Sequence, residues 1–302
     1  MPAARAPDGR AAVPVAGTFS DSWKLTKTSF RLIFEDRALL VFPLVAGLAI
    51  LGVLALLLVG EYALFRPGSG IATGSGPVEA AGVAVFLLAY FAMTFLSVYG
   101  TAALIGAATL KLGGQQPTAS DGWKIARARI GRLLLWALLT ATVGLVIQAI
   151  ASRVRGIGGL LIGAVGGVTW AIATYFMIPI LIYEDQRPWP ALKRSAHLFT
   201  SSFGRTLVTN LVLALLLGVG IVAAVIVAVV GLVFLFGGTL ALGLALLGVG
   251  IAVAVVVALI GAAAEGILRA ALYRYATTGK IDPDLLPSAY RASATGPAPP
   301  LP

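Results

Sequence analysis

From Thr206 to Ala264 the chain runs for 59 residues without a single Asp, Glu, Lys, Arg or His. As one helix rising 1.5 Å per residue, that run would be roughly 89 Å long, about three times the 30 Å hydrocarbon core of a bilayer. It therefore has to fold back on itself inside lipid, and Gly237 and Gly238 mark the bend. Charged residues make up only 11% of the chain, against roughly 25% in a soluble domain, which leaves too little polar surface to keep such a chain dissolved. The sequence is that of a polytopic membrane protein.

Apolar runs of spanning length fall at Ala38 to Gly60, Val78 to Leu110, Ile130 to Ile150, Gly158 to Tyr183, Thr206 to Phe236 and Thr239 to Ala276. They predict an all-α fold: a polytopic membrane helical bundle of six transmembrane helices in three hairpins, with amphipathic in-plane helices on the cytoplasmic side. Sorted by this scheme, nineteen of the 22 Lys and Arg residues fall on one side and only Arg66, Arg153 and Arg155 on the other. The positive-inside rule then puts both termini in the cytoplasm, and the cell membrane of a prokaryote is the expected location. Spans five and six exceed a 30 Å core, so they are expected to tilt, to break near Gly218, Gly220, Gly248 or Gly250, or to extend into the cytoplasm. Residues 1–19 lack the apolar core of a cleavable signal peptide and read as a cytoplasmic tail; residues 281–302, rich in Pro and Ala, read as a second disordered tail.

The membrane domain, residues 20–280, repeats itself. SDSWKLTKTSF at Ser20 to Phe30 returns as SDGWKIARARI at Ser120 to Ile130, one hundred residues later. Each copy opens on a Ser or Asp suited to an N-cap. At 100° per residue, Trp23, Phe30, Ile33 and Phe34 share a face beside Lys24, Lys27 and Arg31, and Trp123, Ile130, Leu133 and Leu134 repeat it beside Lys124 and Arg127. Such a helix is expected to lie along the headgroups with its apolar face at the acyl boundary and its basic face toward anionic lipid. A looser third copy follows span four, where Pro188, Trp189 and Pro190 precede ALKRSAHLFTSSF with Lys193 and Arg194. The expected organisation is three units, at about 20–110, 118–183 and 188–276, each an in-plane helix followed by a two-span hairpin.

SWKLTKTSFRLIFEDRALLVFPLVAG at Ser22 to Gly47, ATYFMIPILIYED at Ala173 to Asp185, ALKRSAHLF at Ala191 to Phe199 and ALYRYATTG at Ala271 to Gly279 resemble domain-of-unknown-function family 6159. The resemblance implies an uncharacterised prokaryotic multi-span membrane protein. It carries no established activity, so no catalytic residue is transferred with it.

Few groups can do chemistry. With no cysteine there is no disulfide, thiolate ligand or thiol nucleophile. His197, the single histidine, lies in a basic in-plane segment and reads as a headgroup-facing side chain rather than a metal ligand. Glu265 is the one acid embedded in a span, with Arg269 one turn on, and the two are expected to form a buried ion pair. Glu184 and Asp185 read as a solvated cap after span four. Thr94, Ser97, Thr140, Thr142, Thr169 and Thr174 cluster near the middle of their spans, where they either line a narrow polar cavity or hydrogen-bond their own helices. Gly159, Gly163 and Gly167 recur every four residues and suggest that span four is the central helix; Pro179 in the same span frees a backbone carbonyl one turn earlier.

Catalytic, cofactor and metal sites are therefore expected to be absent, and the protein is expected not to be an enzyme. The expected partners are the lipid bilayer through anionic headgroups, and a membrane-protein partner or a second copy; the basic residues flank apolar segments, which excludes a nucleic-acid reading. The leading function is a non-catalytic scaffold, assembly or lipid-organising component. The alternative is a passive permease or channel for a small or apolar cargo, because no ionisable residue near the midplane can couple protons.

Overall fold

The computed structural model describes residues 38–65, 76–154, 156–184, 186–201 and 203–278. Both expected tails and the first in-plane copy, with Lys24, Lys27 and Arg31, lie outside the described residues. Among the described residues 92% are helical and none is in a strand, so the fold is all-α. Six stretches are long and apolar enough to cross a membrane: Ala38–Ala63, Val78–Leu112, Ile130–Arg153, Ile157–Tyr183, Asn210–Phe236 and Leu240–Arg274.

The chain divides into two compact units, one spanning Val41–His197 and the other made of Met1–Leu40 and Leu198–Pro302. The first holds most of α1 (Ala38–Phe65), then α2 (Gly76–Leu112), α3 (Ala119–Ala128), α4 (Ile130–Arg153), α5 (Ile157–Ala173), α6 (Met177–Tyr183) and most of α7 (Pro188–Ser201). Its centre is α2, which touches α3, α4 and α6. Ala102, Ala103, Leu104, Ile105, Ala107 and Ala108 form its buried stretch. Small side chains there let neighbours approach: the side chain of Ile125 sits against Gly106, and the ideal Cβ position of Gly100 is 2.6 Å from the Ala46 Cβ on α1. At the end of α2, Gly114 takes φ 80° and the amide of Gln115 donates to the Leu110 carbonyl, which stops the helix and turns the chain toward α3.

Span four departs from expectation twice. Its first half is not central, since Leu160, Leu161, Val165 and Val168 all face outward, whereas Met177 to Ile182 in its second half are buried. Of its glycine series only Gly159 makes a backbone approach, with the Val154 and Ala151 carbonyls against its open face, while nothing lies near Gly167. The span is also broken. α5 ends at Ala173, with Thr174 as its C-cap, and α6 begins after Phe176, whose φ and ψ of −94° and 11° lie outside the helical well. Pro179 has no N–H for the Tyr175 carbonyl and its ring crowds that carbonyl, so the helix restarts with the proline in its first turn. The amide exposed by the break finds a partner in another helix: Phe176 N–H donates to the Ser195 hydroxyl of α7 at 3.0 Å. Both residues are fully buried, where an unpartnered amide costs roughly 1–3 kcal/mol.

The second unit contains the hairpin of α8 (Phe203–Phe236) and α9 (Leu240–Thr278), joined through Gly238 at φ 90°. Of the three expected ways to accommodate their length, a break near glycine does not occur, since both are continuous helices of 34 and 39 residues. Several of their glycines form a seam instead. Ideal Cβ positions at Gly231, Gly243 and Gly250 come within 2.5 to 2.7 Å of the backbone nitrogens of Leu247, Leu235 and Ala228 on the facing helix. Lipid-embedded helices gain little by hiding apolar surface from one another, so such backbone proximity, with its dispersion contacts, is what holds a hairpin of this kind together. Gly218 and Gly248 face open space.

Candidate functional site

The segment expected to form the second in-plane helix is helical as α3, and its aromatic residue packs against protein. Trp123 lies between Phe42 of α1, with ring centroids 5.4 Å apart, and Tyr99 of α2, at 5.3 Å. Gly122 and Ala126 are buried beside it, and Gly122 abuts the Ala103 carbonyl and the Phe42 ring. The face expected to enter the acyl boundary is therefore used for docking onto protein. The chain also breaks at Arg129 (φ −117°, ψ 17°), so that Leu133 belongs to the interior of α4 and is fully buried. Trp123 and Leu133 do not form one lipid-facing stripe, because the helix they were read on is two helices.

Docking of α3 leaves its charged side outward. The start of the helix is fixed by Thr118, whose amide and hydroxyl both donate to the Asp121 carboxylate, at 3.0 and 2.7 Å. The expected Ser120 or Asp121 N-cap is thus replaced by Thr118 with Asp121 three residues on, the capping-box spacing. These two hydrogen bonds, with a third from Lys124 at 3.2 Å, hold the Asp121 carboxyl down at about 2. Because its value is lowered by folding, its contribution is complete above the ordinary carboxylate range and is lost as pH falls through about 2. Amide protection across the first turn of α3 is accordingly expected to be flat above about pH 4 and to fall below it. Asp121→Asn should lower that protection at neutral pH, which hydrogen exchange reads directly.

Beside α3 an open groove of about 580 Å³ is lined by Val45, Ala46 and Ala49 of α1, Leu96 and Tyr99 of α2, and Ser120, Trp123, Lys124 and Arg127. Its lining is aliphatic except for the Tyr99 and Trp123 rings, Ser120 and two cations one turn apart on α3. Lys124 reaches Asp121; Arg127, exposed, has no ion pair or hydrogen bond among the described residues. Lys124 and Arg127 were legible as basic residues next to Trp123. The α1 wall was not, although Val45, Ala46 and Ala49 recur at helical spacing on a span whose next turns are bulky.

Other basic residues are already engaged. Arg194, read as a lipid contact, pairs with Glu184 at 3.3 Å, and Gln186 donates to the same carboxylate oxygen at 3.1 Å. Glu184 is thus tied in rather than a freely solvated cap. Arg129 donates to the Ile182 carbonyl in the last turn of α6, at 3.4 Å, placing a cation where helix-end carbonyls carry partial negative charge. Lys193 remains exposed on α7, as does His197.

Of the six midplane hydroxyls, three are bonded along their own helices. Thr94, Thr142 and Thr174 donate to the carbonyls of Tyr90, Leu138 and Trp170, each four residues back. Ser97 and Thr169 lie on outward faces. Thr140 Oγ1 is enclosed without a hydrogen-bond partner among the described residues, one turn from the stacked Trp136 and Trp170 rings. In the second unit, Glu265 and Arg269 form the expected i to i+4 pair, and both side chains are half-buried.

A family model described as a family of unknown function, DUF6159, matches residues 80–282. The chain belongs to this family. The match runs from the first turns of α2 past the end of α9, so it takes in Leu96, Tyr99, Trp123, Lys124 and Arg127 but not the α1 wall of the groove or the Ser22 to Gly47 motif. Searches of curated proteins and of solved structures returned no match. The chain thus belongs to a family of unknown function, and the six helices long and apolar enough to span a bilayer among the described residues mark it as a membrane protein.

Proposed function

We propose that the protein is a non-catalytic component of a prokaryotic cell membrane that organises lipid at the cytoplasmic face, with both termini on that face. The observation that carries this reading is the groove beside α3, whose lining brings together aliphatic side chains, two aromatic rings and an arginine that has no ion pair among the described residues. Tyrosine and tryptophan favour headgroup depth, and outward Lys and Arg beside them favour anionic leaflets. The direction of the three hydroxyls, each turned onto its own helix, supports the same reading over a pore, since a water path needs polar groups turned toward one another.

Two measurements test it. Vesicles loaded with small ions and sugars and carrying the purified protein should leak no faster than empty ones; protein-dependent release would favour the passive-permease reading instead. A reporter fused next to Trp123 should remain cytoplasmic, and its export would overturn the orientation.

A further inference from the structure

We infer that the groove beside α3 seats one anionic glycerophospholipid, its phosphate held by Arg127 and Lys124 and the upper part of an acyl chain lying along Val45, Ala49 and Leu96. The inference deepens the lipid reading and rests on membrane embedding, but it does not depend on whether the protein conducts.

Three features favour this occupant. The first is charge. Lys124 and Arg127 are three residues apart on α3 and so lie on the same side of the helix, which lets one phosphate meet both. Asp121 already accepts three hydrogen bonds, two from Thr118 and one from Lys124, so the neighbouring acid is occupied, while Arg127 has no partner among the described residues. A guanidinium presents paired donors that match a phosphate. The second is shape. About 580 Å³ falls within the roughly 300–1,000 Å³ of small-ligand sites, and an open side suits a molecule whose second chain stays in the bilayer. The third is the mix of surfaces. The lining joins two cations and Ser120, the rings of Tyr99 and Trp123, and aliphatic side chains of α1 and α2, which suit in turn the phosphate, the interfacial part and the chain of a phospholipid. The groove's form is held by protein contacts rather than by lipid, because Trp123 is fixed between Phe42 and Tyr99.

The test uses the full-length protein in nanodiscs of equal phosphatidylglycerol and phosphatidylcholine, released into mild detergent and weighed intact. One phosphatidylglycerol per chain should be retained in preference to phosphatidylcholine. The Lys124→Gln/Arg127→Gln double variant should reduce that retention by at least about tenfold, since each cation near an anionic lipid is worth about 1 kcal/mol. Ala49→Trp, which fills the wall and leaves the charge alone, should reduce it as well. Neither alters a buried contact of α3, so unchanged thermal unfolding should accompany both losses. Equal retention of the two lipids, or retention unaffected by the double variant, would overturn the inference. Loss in the double variant with full retention in Ala49→Trp would also overturn it, by showing a surface patch without a chain seat. Displacement by soluble glycerol phosphate would point to an anion site that takes no lipid, and would overturn it too.

Discussion

Gly243→Leu is expected to pull α8 and α9 apart. A Cβ at Gly243 would lie 2.5 Å from the Leu235 nitrogen and 2.6 Å from its Cα, and backbone cannot rotate away as a side chain can. Overpacking an interior typically costs about 1–3 kcal/mol, and a clash with main chain belongs at or above the upper end of that range. The partner substitution Gly248→Leu lies on the same helix, faces open space and should stay within about 0.5 kcal/mol of the parent. Titrating both variants with SDS while following helix content reads the difference. Equal midpoints would mean that the glycine seam does not hold the hairpin. Because lipid offers the same apolar surroundings as a neighbouring helix, closeness of approach is the main term available here, and a leucine removes it.

The second large effect is expected at Gly122→Val. There a Cβ meets the Ala103 carbonyl at 2.5 Å and the Phe42 ring at 2.5 Å, so α3 has to lift from α2 and withdraw Trp123 from between Phe42 and Tyr99. Losing an aromatic from a packed interior costs roughly 3–5 kcal/mol, and the partial exposure of Trp123 places the penalty toward the lower end. Lifting of α3 should also open the chain to trypsin after Lys124 and Arg127, two sites that helix protects in the parent. Gly131→Val, with open space around it, is the matched control. Protease resistance like that of the parent would show that α3 does not need the Gly122 contact.

The two effects mark where sequence reading succeeded and where it stopped. Span positions followed from hydropathy because burial in lipid is a property of a whole segment, and Ile130–Arg153 or Asn210–Phe236 needs no knowledge of neighbours. The Glu265–Arg269 pair followed from spacing on one helix, although its exposure did not. What depended on a partner was not legible. Glycines at 218, 220, 231, 243, 248 and 250 look alike along the chain, yet only some meet the facing backbone, and that depends on the rotation of two helices about each other. Trp123 was identified as an interfacial aromatic, but its docking onto Tyr99 required α1 and α2 to stand beside α3. The Pro179 break was legible as a freed carbonyl; the Ser195 hydroxyl that satisfies the exposed amide sits in another helix, nineteen residues away in sequence. The midplane hydroxyls illustrate the same limit in reverse. Their clustering left a cavity and helix hydrogen bonds both open, and the bonds of Thr94, Thr142 and Thr174 run back along their own helices, a local option that any threonine in a helix has.

The most direct measurement places single cysteines at Thr94, Thr140 and Thr169 of the full-length protein, which has none of its own, and exposes sealed vesicles to a membrane-impermeant maleimide from each side. A lipid-organising bundle with a dry midplane predicts no labelling at any of the three, with strong labelling of a cysteine at Lys124 from the cytoplasmic side alone. Labelling of all three midplane positions would show water where the account places side-chain packing, and would contradict it.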